Sequence, residues 1–347
     1  MAEVEPASPK RPAWRSARVL LYVLAIAFFA IVLWRSRFWD SGDALESVGA
    51  EYFLAIPLLS LVFAPPLAVR GRTLLAALGH RVPALSLAPL AYFGNTVGFM
   101  TPAASGEALR PSLLRRTFGV PIAQGIGAVL FERLFSFYFV GLSCLLALSW
   151  TNEAPGWVGP VALPLLLIST LVPSAAAAAA PGIGRVLPVE RLARVLPHGL
   201  RENLEESAET LRKLWLSGLV VAVFIILSAF MFLVMAVQFW LIPDALGQNL
   251  SLQEAYVVLT VSTIAGFLSG LPLGLGATDA VMLSLLRAYG VDATEAGQIV
   301  ILNRVLINLP AGLFGLVAYL IAIRQKPAET ASPQASRLAT VSAGERE

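Results

Sequence analysis

The stretch GVPIAQGIGAVLFERL, residues 119–134, lies in a long apolar run yet carries Glu132 and Arg133 side by side. Residues 290–305, GVDATEAGQIVILNRV, repeat its plan and close on Asn303 and Arg304. The two arginines are 171 positions apart (304 − 133), as are Gly119 and Gly290, and Val120 and Val291. Aligned without gaps, 113–134 and 284–305 also share Arg116/Arg287, Leu114/Leu285 and Val129/Val300; the glycines and arginines carry the signal, because apolar matches arise easily between apolar segments. With a small change of register upstream, Gly98-Phe99 meets Gly266-Phe267, Pro102 meets Pro272, and Glu107 meets Asp279. The chain reads as two related halves.

Composition says where those halves reside. Of 347 residues, 57% are hydrophobic and 14% charged, against about a quarter charged in soluble domains. Apolar runs at 17–34, 48–69, 121–149, 158–180, 214–242 and 293–323 are long enough to cross a hydrocarbon core of ~30 Å as helices. Cys144 is the single cysteine, and His80 and His198 are the two histidines, so neither an internal disulfide nor a metal centre is expected, and no cofactor. Residues 1–16 mix prolines, small residues and charges and read as a disordered cytoplasmic lead. A cleaved signal is the competing reading, but VLLYVLAIAFFAIVLW is longer than most signal cores and no A-x-A-like site follows it. Residues 324–347 read as a disordered tail, too short for a catalytic domain.

Two further apolar stretches are interrupted. Residues 84–118 and 251–289 each run apolar, break at a cluster of glycine and proline, and resume as a shorter amphipathic helix. Either a crossing plus a surface helix or a re-entrant hairpin fits that pattern. The basic residues favour hairpins: the N-terminal cluster, Arg70, Arg72, Arg81, Arg110, Arg115, Arg116, the basic residues of 185–213, Arg324 and Lys326 then share one side, which short cytoplasmic loops should. The expectation is an all-α polytopic membrane protein with about six transmembrane helices and two re-entrant hairpins, eight apolar segments by hydropathy, and both termini cytoplasmic. The membrane domain is 17–323, with repeat one over about 48–149 and repeat two over about 214–323. In this topology the repeats are inverted, an architecture that places substrate sites near the midplane of secondary transporters.

Arg133 stands twelve residues beyond Pro121, ~18 Å along a helix; facing lipid there would cost roughly 2.5–3.5 kcal/mol. Two readings fit: an ion pair with Glu132 or a hairpin carboxylate that only fixes packing, or a binding site for a substrate's anionic headgroup. Arg304, with Asn303 beside it, has the same two readings. Gly98, Pro102 and Gly106 in the first break, and Pro272, Gly274 and Gly276 in the second, let the chain turn at depth. Glu107 and Asp279 follow the breaks, where a carboxylate also serves as a helix cap. Arg110 reads either as a site residue or as an interfacial anchor.

The pattern P-x3-GE-x2-R, then GV and an ER pair, followed in the second half by P-x-G-x-G-x2-D, GV and NR, resembles the lysylphosphatidylglycerol synthase transmembrane region family of flippase-like domain proteins, over about 17–323. It departs from that pattern at Leu275-Gly276 and Asp279, where Gly-Gly and a glutamate are commoner, and at Thr101 and Ala103. The resemblance implies movement of lipids or lipid-linked precursors between leaflets; the aminoacyl transferase domain of bifunctional members has no counterpart here. The reading is a non-enzymatic translocator of an anionic phospholipid or polyprenyl-phosphate-linked lipid in the cell membrane. Its alternatives are a membrane-embedded transferase acting on a lipid phosphate, or an accessory subunit of an envelope-biosynthesis complex. The expected partners are a membrane lipid and an enzyme of lipid biosynthesis, with no nucleic acid.

Overall fold

The computed structural model describes residues 48–101, 107–150 and 198–325, with scattered positions in 23–30 and 160–171. The N-terminal lead, most of the apolar runs 17–34 and 158–180, Pro102, Gly106 and the tail beyond 325 lie outside the described residues. Within them the chain is all-α. Five helices are long and apolar enough to cross a membrane: Ala50–Ala77, Ile122–Ser149, Gly218–Ala245, Leu252–Ser269 and Ala293–Arg324. Four match expected crossings; the fifth, Leu252–Ser269, is the first limb of an expected hairpin.

Repeat one opens with α1 (Ala50–Leu59) and α2 (Ala64–Ala77), joined into one rod by a tighter turn at Ser60–Phe63. Prolines 57, 65 and 66 withdraw three backbone donors here, which loosens the helical ladder. Neighbouring helices hydrogen-bond the loosened segment, as lipid cannot: Gln238 Nε2 donates to the Ile56 carbonyl (2.7 Å) and Ser60 Oγ (2.9 Å), and Tyr92 Oη to the Ser60 carbonyl (3.0 Å). The first broken segment follows as α3 (Ala84–Met100) and α4 (Leu109–Phe118), then the long α5 (Ile122–Trp150). Repeat two copies this order: a long α7 (Gly218–Ala245), a broken segment α8 (Leu252–Ser269) and α9 (Ala277–Ala288), and a closing rod of α10 (Ala293–Leu302), a π-helical turn Asn303–Asn308 and α11 (Leu309–Arg324). Between the repeats, α6 (His198–Trp215) is strongly amphipathic.

Both broken segments enter and leave at one end. His80, before α3, hydrogen-bonds Gln124, in the first turn of α5, at 2.8 Å. Tyr289, just past α9, lies close enough to Glu254, in the first turn of α8, to feel its charge. Gly119 and Gly290, matched in the sequence, end the second limbs with positive φ of 71° and 88°, a backbone state that glycine adopts without a Cβ penalty. Ser251 begins α8 with a reciprocal cap: its Oγ accepts from the Glu254 N–H and its own N–H donates to Glu254 Oε2.

The repeats are related by antiparallel exchange. The opening rods lie side by side in opposite directions: Tyr52 Oη donates to Asp244 Oδ2 (2.8 Å) at one end, and Arg70 stacks over Phe224 at the other. Each closing rod packs against the first hairpin limb of the other repeat, α11 on α3 and α5 on α8. Small residues permit the first contact, since a Cβ on Gly315 would meet Thr96 and one on Gly312 would meet Met100. Two cores result, one around each hairpin, and each draws on two helices of the other repeat, α1 and α5 for one and α7 and α11 for the other. Leu54, Leu58, Leu219, Ile226, Leu233, Leu313, Leu316 and Leu320 remain outside, as a lipid-facing surface requires.

Candidate functional site

The hairpins carry their charges onto the closing rods. In α4, Arg110, Leu114 and Thr117 lie on the buried face while Arg115 and Arg116 are exposed. Arg110 ion-pairs with Glu132 of α5, and Glu107, just before α4, ion-pairs with Arg133; Arg133 Nε donates to Glu107 Oε2 at 3.2 Å. The adjacent Glu132 and Arg133 therefore part company, each taking a partner from the hairpin. Glu107 and Arg110 are each 8% exposed, so these are charges withdrawn from water and matched locally. Gly94 makes room: a Cβ there would run into the Arg110 side chain.

Repeat two contains the same pair in a closed form. Asp279 is fully buried, its Oδ1 accepts from Arg304 Nε (2.8 Å), and its Oδ2 accepts from the Gly276 N–H (2.8 Å). Cap and ion pair are thus one carboxylate. Arg304 Nη1 donates to the Leu273 carbonyl (2.8 Å), and Leu273 is the one described non-glycine residue at positive φ, 55°, a state costing about 1–2 kcal/mol. Pro272, Gly274 and Gly276 form this break, whereas Gly98 lies inside α3, which continues to Met100. Three residues past Asp279 the counterpart of Arg110 is Met282, and Asn303 stands opposite Glu132: both members of the second ion pair are replaced together by a buried methionine and a buried amide. The Arg304 turn is π-helical, next to Pro310, which removes a backbone donor.

A narrow cleft between the helices of repeat one is lined by Arg70, Asn95, Glu107, Arg110, Glu132, Arg133 and Ser136 with Leu67 and Ala91. Arg304 and Asp279 are not among its lining residues. The helix α6 runs alongside the first half of α5, from Ser207 Oγ on the Ala123 carbonyl (2.9 Å) to Trp215 against Phe131 and Phe135, and exposes Glu202, Glu205, Glu209, Arg212 and Lys213 on its other face. Sequence reasoning missed Arg70, Gly94, Asn95 and Ser136. The apolar run 48–69 stops one residue short of Arg70; the spacing of Arg70 from Leu67 and Leu74, on one helical face, is the available signal.

Two inverted, antiparallel repeats with interrupted helices and buried ion pairs define a polytopic α-helical membrane protein built on an internal repeat. The chain belongs to the family described as "Lysylphosphatidylglycerol synthase TM region", whose model matches residues 13–315. Two UPF0104 membrane proteins of Methanothermobacter thermautotrophicus are each 22% identical to it, over 83% and 86% of this chain and 89% and 93% of theirs. A UPF0104 membrane protein of Methanocaldococcus jannaschii is 20% identical over 81% of this chain and 88% of its own. No solved structure matches the chain.

Proposed function

We propose that the chain is a non-enzymatic translocator that moves an anionic lipid between leaflets, with the repeat-one cleft receiving the headgroup while the acyl chains stay in lipid. The observation that carries this reading is the cleft itself: three guanidiniums and two carboxylates gathered among apolar helices, where a scaffold would need none. Guanidiniums match phosphate oxygens in pairs, and Glu107 and Glu132 hold Arg133 and Arg110 in position between substrates. A headgroup phosphate would compete with those carboxylates for the same N–H donors. The antiparallel contacts of α11 on α3 and α5 on α8 give the two repeats a pair of equivalent surfaces on which to rock, as inverted-repeat transporters do. An enzyme supplying the lipid is the fitting partner.

In this account the His80 end, and with it both termini, faces the cytoplasm of the cell membrane. Arg72, Arg81, Arg115 and Arg116 are exposed near that end, whereas the opposite loop 243–251 has no basic residue. Cysteines replacing the exposed Asn249 and Arg81 test it, Cys144 being fully buried. An impermeant thiol reagent added to intact cells should label Asn249→Cys and spare Arg81→Cys; the reverse pattern would turn the account upside down. The function is tested by leaflet-resolved labelling of lipids in cells lacking the chain. One anionic lipid should accumulate in the leaflet where it is made, and an unchanged distribution of every anionic lipid would overturn the proposal.

A further inference from the structure

One cation of the cleft has no carboxylate of its own. Arg70 is 8% exposed and its guanidinium stacks on Phe224 with its carbon 4.2 Å from the ring centre. Its Nη1 reaches only the Met231 sulfur, at 3.9 Å, and its Nε has no hydrogen-bond partner. Among the described residues no carboxylate pairs with it, whereas Arg110 and Arg133 each hold one. It lines the same cleft as Glu132 and Arg110. The second repeat shows what an inert occupant of this position looks like. Gln238 stands as far from the start of α7 as Arg70 stands from the start of α1, and it meets Ile56 where Arg70 meets Phe224. It is neutral, and its amide nitrogen is spent on the Ile56 carbonyl and Ser60 Oγ.

We propose that Arg70 is the anion anchor of the cleft, and that charge balance there selects a headgroup with one negative charge: a phosphodiester whose other substituents are uncharged. This rests on the reading of the cleft as a headgroup site. Arg70, Arg110 and Arg133 against Glu107 and Glu132 leave one positive charge. A single phosphodiester anion cancels it. A phosphomonoester, approaching two negative charges at neutral pH, leaves a surplus anion beside two carboxylates in a medium where charge is weakly screened. A zwitterionic head brings its own cation toward Arg110. The Phe224 ring holds the Arg70 guanidinium in place without a carboxylate.

Equilibrium binding of short-chain lipids to the full-length protein in detergent tests this. The probes are dioctanoyl phosphatidylglycerol as the singly charged diester, dioctanoyl phosphatidic acid as the monoester and dioctanoyl phosphatidylcholine as the zwitterion. The wild type should hold the diester about tenfold or more tightly than either of the others. Arg70→Gln should lose that margin, with Arg70→Lys between the two. Equal affinity for all three probes in the wild type, or an undiminished preference in Arg70→Gln, overturns the assignment. The wild-type series decides the charge selection even where a variant does not fold. Binding selectivity without any leaflet defect in the deletion strain would sink the translocator reading and leave this one standing; the opposite pair of results would do the reverse.

Discussion

Replacing Asp279 with alanine is expected to destabilise the protein by about 3–5 kcal/mol, the usual consequence of removing one member of a buried ion pair. Two defects coincide. Arg304 keeps its charge in a nearly closed site with only the Leu273 carbonyl for company, and the Gly276 N–H loses its acceptor. Leu273, held at positive φ next to that arginine, has less to keep it there. Thermal unfolding of the purified protein in detergent should register the loss, and yield from membranes should fall with it. Asp279→Asn should do less harm, since an amide oxygen still accepts from Gly276. Combining Asp279→Leu with Arg304→Met should recover much of the deficit, because an apolar pair replaces an ionic one without stranding a charge. Wild-type stability in Asp279→Ala alone would contradict the closed-site description.

Arg133→Lys is expected to act on transport instead. Lysine keeps the charge opposite Glu107 but loses the planar fork, and a charge-assisted hydrogen bond is worth about 1.5–3 kcal/mol, or roughly tenfold to a hundredfold in rate at saturating transition-state contact. Its unfolding temperature should stay closer to wild type than that of Asp279→Ala, because Glu107 retains a cation within reach. Arg304→Lys should show the opposite balance, stability before transport, since Arg304 lies outside the lining of the cleft.

The contrast between the two repeats marks the boundary of what the sequence discloses. The pairing of Glu107 with Arg133 and of Asp279 with Arg304 is legible as an internal alignment, because a carboxylate and an arginine recur at matched positions after a glycine-rich break. The hairpins are legible too, though not from the interrupted apolar runs alone: the basic residues gather on one side only if both segments turn back. The partition of Glu132 and Arg133 between two partners is not: neighbouring residues on a helix point about 100° apart, and only the placement of α4 says which hairpin charge each one meets. Arg70 was obscured by hydropathy, which counts a guanidinium as the end of a span whether it faces water or a cleft. The packing of α6 along α5 is likewise a tertiary fact, set by Ser207 and Thr210 seating against Ala123 and Gly127. Met282 and Asn303 become informative only once Arg110 and Glu132 are seen to touch.

The central claim is that the repeat-one cleft handles a lipid headgroup, and the most direct measurement is lipid translocation per correctly folded molecule in proteoliposomes, with headgroup-labelled lipids and leaflet-specific quenching. The wild type should accelerate exchange of an anionic lipid, and Arg133→Lys should reduce that rate about tenfold or more per folded molecule. Unchanged specific activity in Arg133→Lys, with any loss confined to the amount of folded protein, would show that the arginine fixes packing alone and would contradict the account.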